Sequence, residues 1–231
     1  MDFSQYGTPN PEWEAFVKTK PPAGQPGRVP LGLTPEQIQA QTNAAREDAS
    51  ASLCAAHGLD GMIHFKDHIC PTRDGSAVTV RAYRPKYTGP KPLPTLVYFH
   101  GGGYLFGSLG SERFLCSSLA AKIGILVLHI CYRHTPAFAH PTAHHDGHDG
   151  MQWIASHGDV LGMDTTNVVV GGLSAGAAVA ASAVLDTLTR SAGPQDRLHI
   201  RALILGIPWI LQKDAFPFHL FARLKTQRIR Y

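Results

Sequence analysis

Apolar positions along the chain gather into short uninterrupted runs at residues 93–99, 125–132, 168–170 and 198–207, each bounded by Gly, Pro or polar residues. Runs of this length, rich in β-branched residues, predict strands buried on both faces. The stretches between them predict helices over residues 114–122, ending near Gly124, over 141–156, with Trp153 and Ile154 turned inward, and from Ala175 to about Thr189. The resulting β-α-β-α-β-α-β order implies a largely parallel sheet with helices on both faces. Upstream, residues 62–70 and 77–84 read as two strands joined by the turn signal Pro71-Thr72-Arg73-Asp74-Gly75-Ser76. A helix opens with Thr34 as N-cap, Pro35 in its first position and Glu36 at the positive dipole end, and runs to about Ala56 before Gly58. Residues 1–33 are rich in Pro and Gly and predict an extended arm with at most a short helix near residues 11–18. The expected division is an N-terminal region over 1–57 and an α/β core over 58–231.

A chain of 231 residues with 44% hydrophobic and 16% charged content fits one folded α/β domain. The net charge of +4 is modest, and basic residues cluster only at Arg223, Lys225, Arg228 and Arg230, so a nucleic-acid partner is not expected. Cys54, Cys70, Cys116 and Cys131 are scattered without C-x-x-C pairs, which predicts reduced structural thiols. The first residues lack a basic segment followed by an apolar one, and no apolar run approaches the roughly 20 residues that span a bilayer. A cytoplasmic location and no membrane span are therefore expected.

Two glycine motifs change the picture. Gly172-Leu173-Ser174-Ala175-Gly176 follows Val168-Val169-Val170 directly and leads into a small-residue helix. Strand, one-residue corner and helix make the layout of a nucleophile elbow, in which flanking glycines avoid collision across a strained turn. His100-Gly101-Gly102-Gly103-Tyr104 ends an earlier run, 174 − 100 = 74 residues before the serine. Its glycines leave backbone N–H groups unshielded, so Gly102 and Gly103, with Ala175 after the serine, are candidate oxyanion-hole donors. A plain glycine-rich turn and a simple anion-binding loop are the competing readings. The paired motifs, each closing an apolar run, favour the catalytic one.

On these residues, with Tyr132-Arg133-His134-Thr135-Pro136, Pro141 and Asp146, the sequence resembles the α/β-hydrolase fold-3 family of the hormone-sensitive-lipase type over roughly residues 60 to 220. The resemblance implies an α/β-hydrolase fold and carboxylesterase chemistry on a small or medium acyl ester, with no cofactor or metal. By it Ser174 is the nucleophile, Gly102, Gly103 and Ala175 form the oxyanion hole, and His100 and Gly101 position the loop. It also implies a cap built partly from residues 1–57, with Phe3, Tyr6, Trp13 and Phe16 either as lid aromatics or as aromatics holding the arm to the core. Four positions depart from the family: Leu173 and Cys131 stand where Asp is usual, Ala177 where Gly is, and Ala137 where an acid braces the loops.

In this fold the triad runs Ser, acid, His, with the last two beyond a further pair of strands. Only 231 − 174 = 57 residues follow Ser174, and residues 218–231 resemble the start of a cap rather than a strand and loop. The chain is thus expected to be C-terminally truncated, lacking the last strands, the acid and the histidine, and to be impaired as an enzyme. Asp214 and His219 stand in the right order, but five residues without a strand between them favour a cap or surface role. His199 reads as a strand-entry residue. His140, His144, His145, Asp146, His148 and Asp149 invite a metal reading, against which a solvated polar helix start is preferred. His129 reads as a hydrogen-bonded core histidine. Two other functions stay open: a non-catalytic ligand-binding or partner module, and a non-hydrolytic enzyme of a specialised-metabolite pathway.

Overall fold

The structure, a computed structural model, describes residues 10–19, 32–189 and 198–210. The chain divides into two compact units, residues 1–38 and 39–231. In the first, Asn10 caps helix α1 (Pro11–Lys18) by accepting the Glu12 N–H at 2.8 Å, and Pro11 occupies the first turn, where its missing N–H costs nothing. Helix α2 (Pro35–Ala56) starts with a reciprocal capping pair. The Gln37 N–H donates to the Thr34 hydroxyl at 3.3 Å, and the Thr34 N–H donates to the Gln37 side chain at 2.9 Å. Gly58, with φ +62°, lies just beyond its end.

In the second unit six strands form one sheet in the order β1-β2-β4-β3-β5-β6: β1 Ile63–Pro71, β2 Ala77–Pro85, β3 Leu93–Phe99, β4 Leu126–Cys131, β5 Met163–Leu173 and β6 Ile200–Gly206. The first two pairings along this order, β1 with β2 and β2 with β4, are antiparallel; β4, β3, β5 and β6 run parallel. The helices that follow α2 are α3 (Leu59–Met62), α4 (Arg113–Ile123), α5 (Thr142–Ser156), α6 (Gly158–Leu161) and α7 (Ala175–Thr189). Helix α4 ends on Gly124 in the left-handed conformation, as its sequence predicts.

Strand β4 explains why the apolar runs are continuous. Leu126, Leu128 and Ile130 enter the core shared with α5 and α7, whereas Val127 enters the opposite core with Tyr83, Tyr98, Cys116 and Ala120. Both faces are buried, and each fully buried aliphatic side chain contributes about 1.5–3 kcal/mol. Strand β5 is longer than its three-valine centre, reaching back to Met163.

Strand β6 corrects the expectation of a buried strand. It forms the sheet edge, and four of its seven residues are exposed, Ile204 by 60%. Its Ile204 opens, with Leu96 and Val169 and with Leu115, Leu119 and Ile123 of α4, onto an apolar cleft of about 490 Å³. Apolar composition marks a strand able to be covered on both faces, not one that is.

Candidate active site

Parallel pairing sets Phe99 at the end of β3 opposite Gly172 near the end of β5, so the loops leaving both strands are neighbours. At the β5 corner Ser174 takes φ +52°, a left-handed conformation rare for a residue with a side chain, and α7 begins at the next residue. The bend is held from both sides. The Ser174 N–H donates to the Gly206 carbonyl at 2.8 Å, and the Ser174 carbonyl accepts from Ala177, Ala178 and Trp209 at 3.1, 3.2 and 3.3 Å. Strain of this kind costs about 1–3 kcal/mol and persists only where the surroundings enforce it.

The flanking glycines are required by contact. A β-carbon on Gly172 would lie 2.4 Å from the Gly176 carbonyl oxygen, and one on Gly176 would lie 2.2 and 2.3 Å from the carbonyl oxygens of His100 and Phe99. A β-carbon on Gly101 would come 2.9 Å from the Leu173 oxygen. Each motif therefore packs backbone to backbone against the other. Gly102 adopts φ +143°, and the loop folds back so that Leu105 and Phe106 donate to its carbonyl at 3.0 and 2.9 Å. Among the described residues the N–H groups of Gly102, Gly103 and Ala175 donate to no backbone or side-chain acceptor, and the Ser174 hydroxyl has no hydrogen-bond partner.

His100 is fully buried and uses both ring nitrogens: Nδ1 lies 2.9 Å from His129 Nε2, and Nε2 lies 2.8 Å from His134 Nε2. The Tyr132 ring stacks on it at 4.3 Å and 4°, and the Tyr132 hydroxyl donates to the His100 carbonyl at 2.6 Å. Burial, reinforced by neighbouring His129, His134 and Arg46, holds the His100 imidazole well below its usual pKa. Burial likewise pushes His129 down to about 3 and His134 to about 4. All three are neutral near pH 7.

The sequence marks His100, His129 and the Tyr132-Arg133-His134 motif, but not that His134 and Tyr132 contact His100, nor how α2 holds the loop. Gln39 donates to the carbonyls of Leu105 and Thr135, and the Asn43 side chain accepts the Gly107 N–H at 2.9 Å. Polar residues spaced four apart on one helix, Gln39, Asn43 and Glu47, were the available signal.

The histidine-rich helix start is corrected. Asp146 is fully buried, not solvated: Arg133 reaches it through a fork, with Nη2 at 2.6 Å and Nε at 3.0 Å, and the Arg133 N–H adds a bond of 2.9 Å. The remaining residues disperse into separate contacts, His144 Nε2 at 3.3 Å from the Tyr104 hydroxyl and His148 Nε2 at 2.8 Å from that of Ser182. Asp149 forms an ion pair with Arg73 at 2.8 Å. His199 leads into β6, its N–H donating to Thr165 at 2.9 Å. Asp214, His219, Phe3 and Tyr6 lie outside the described residues. Beside the corner a cleft of about 430 Å³ is lined by Tyr104, His144, Ala178, Ser182, Leu185 and Trp209.

A match to the alpha/beta hydrolase fold family covers residues 96–225, more than half of the chain, and takes in both glycine motifs. The chain belongs to the α/β-hydrolase fold-3 family. Ethyl acetate hydrolase of Pseudomonas putida is 33% identical to it over 172 residues, which are 74% of this chain and 53% of that protein. Among solved structures, esterase LipW from Mycobacterium marinum superposes with a TM-score of 0.61 at 30% identity, covering 75% of this chain and 52% of that one. A bacterial heroin esterase gives 0.67 at 26% identity, covering 88% and 59%. The chain thus spans about half the length of the hydrolases it matches. No helix among its described residues is long and apolar enough to cross a membrane.

Proposed function

We propose that this α/β-hydrolase acts on a small or medium carboxylic ester with Ser174 as nucleophile and the amides of Gly102, Gly103 and Ala175 as oxyanion hole. The observation that carries the reading is the corner itself: a serine strained to φ +52° whose flanking glycine abuts the carbonyl of His100, beside three amides without an acceptor among the described residues. The Ser174 oxygen attacks the ester carbonyl, the three amides take up the charge on the carbonyl oxygen, and the alcohol departs to leave an acyl-serine that water hydrolyses. Among the described residues the cleft beside Tyr104 and Trp209 is lined by no carboxylate, Lys or Arg, and its His144 is pushed by burial down to about 4, which suits an uncharged substrate. The four free thiols support a cytoplasmic, reducing setting.

The proton from Ser174 needs a base, and no described imidazole or carboxylate is hydrogen-bonded to its hydroxyl. A serine without its histidine loses several orders of magnitude in turnover, so by this reading turnover depends on a base outside the described residues. The same observation favours a second reading, a binding module that holds an ester without cleaving it. A fluorophosphonate probe tests the first. Slow modification at Ser174 alone, abolished in Ser174→Ala, is expected. Modification at another residue, or undiminished in the variant, overturns the assignment. Ester-dependent elevation of the melting temperature with no turnover and no modification identifies the binding module.

A further inference from the structure

The imidazoles of His129, His100 and His134 form a buried chain in which each ring-nitrogen contact, 2.9 and 2.8 Å, must hold one proton. Three neutral rings carry three ring N–H groups, so both contacts are satisfied only when all protons point the same way along the chain. Two directions exist. The end that decides between them is His129 Nδ1, which is buried and, among the described residues, has no hydrogen-bond partner. At the other end, His134 is only partly buried, and its Nδ1 can meet water in either form.

We propose that the chain is polarised outward, His129 Nε2–H to His100 Nδ1 and His100 Nε2–H to His134 Nε2, and that through it His134 and His129 are positioning residues for the oxyanion loop. The outward direction leaves a bare lone pair at His129 Nδ1, whereas the inward one strands an N–H there, and orphaned buried donors are the rarer defect in proteins. A protonated chain is disfavoured, because burial penalises charge on these rings and Arg81 and Arg46 oppose it further, while Asp67 and Asp146 only partly offset them. The link to the loop is short. Residue 100 precedes the glycines, its carbonyl is gripped by Tyr132 and abuts Gly176, and its ring edge fills the space where a β-carbon on Gly107 would lie, 2.0 Å from Cδ2. With both nitrogens bonded and one face stacked, the ring has one orientation, and the amides of Gly102 and Gly103 inherit it.

The positioning claim rests on the esterase reading for its kinetic arm alone. Nitrogen-15 NMR of the histidine-labelled full chain at pH 7 reads the tautomers directly. Expected are Nε2–H at His129, Nε2–H at His100 and Nδ1–H at His134. The reversed set, or an imidazolium in any of the three, overturns the polarity. His134→Gln keeps an acceptor where Nε2 stood, whereas His134→Leu removes it. The Gly102 and Gly103 amide resonances should shift in the leucine variant and stay close to the parent in the glutamine variant. Where turnover is measurable, kcat should fall about 10–100-fold in the leucine variant with little change in KM, and recover in the glutamine variant. Unmoved glycine amides in His134→Leu overturn the positioning role. No turnover in any form, with the tautomers and amide shifts as expected, instead sinks the esterase reading and leaves this one standing. If the leucine variant does not fold, loss of the His100 tautomer and displaced glycine amides in the glutamine variant overturn the proposal.

Discussion

The carbonyl oxygen of His100 sits 2.2 Å from where a β-carbon on Gly176 would project, which makes the last residue before one glycine motif the wall against which the other is built. A second carbonyl, that of Phe99, stands at 2.3 Å, and neither belongs to a movable side chain. Gly176→Ala should therefore destabilise the fold by more than the common 0.5–3 kcal/mol of point substitutions. Gly103→Ala meets no atom within 4 Å and violates only its φ of +62°, which predicts a loss of about 1–2 kcal/mol. Urea unfolding of the two variants side by side checks the contrast.

Arg133 and Asp146 supply a second test. The carboxylate is fully buried and the guanidinium is its cation, with a further bond of 2.8 Å from Arg133 to Asp74. Arg133→Met should cost about 3–5 kcal/mol by leaving Asp146 uncompensated. The double variant with Asp146→Leu should recover a large part, because the stranded charge goes with it. Chemical denaturation of the four-member cycle gives the coupling energy.

The buried imidazoles predict an acid-sensitive fold. Burial holds their pKa values below the 6.5 of an unfolded histidine, so between 6.5 and the folded values the unfolded chain binds more protons than the native one. Stability should consequently fall as pH drops below 6.5, and for His129 the fall continues towards about 3. Each fully buried histidine contributes a slope of at most about 1.4 kcal/mol per pH unit. Unfolding free energies measured at pH 7, 6 and 5 should decline; a flat profile would show these rings to be protonated or exposed.

Cysteine reactivity should follow burial. Desolvation raises the Cys70 and Cys131 thiols to about 12 and Cys116 well above its ordinary value. The thiolate is the reactive form, so a disulfide reagent at pH 8 should modify the native protein slowly and the urea-unfolded protein rapidly. Rapid reaction of Cys116 in the native state would contradict its placement on the buried face of α4.

Much of the core fold was legible in the sequence because its signals are local. Three glycines after an apolar run, a serine between two glycines and a capped helix at Thr34 each declare themselves within ten residues. What escaped was set by distance. His134 meets His100 across 34 positions, and Asn43 meets Gly107 across 64, with nothing in either segment alone to announce the other. Asp146 looked solvated because its neighbours are polar; its partner Arg133 sits on another element. The outer face of β6 was misjudged for the opposite reason, since its composition records an affinity for cover and not the cover itself.

The register that sets Phe99 against Gly172 also bears on how the molecule comes into being. Neither peptide can hold its bend unaided: the glycine two residues past the serine packs against a carbonyl 76 positions earlier, and the triple-glycine turn leans back on the serine's neighbour. Reactivity at position 174 should therefore emerge late in refolding, with the closing of the central parallel strands, and an isolated fragment carrying either bend should be inert.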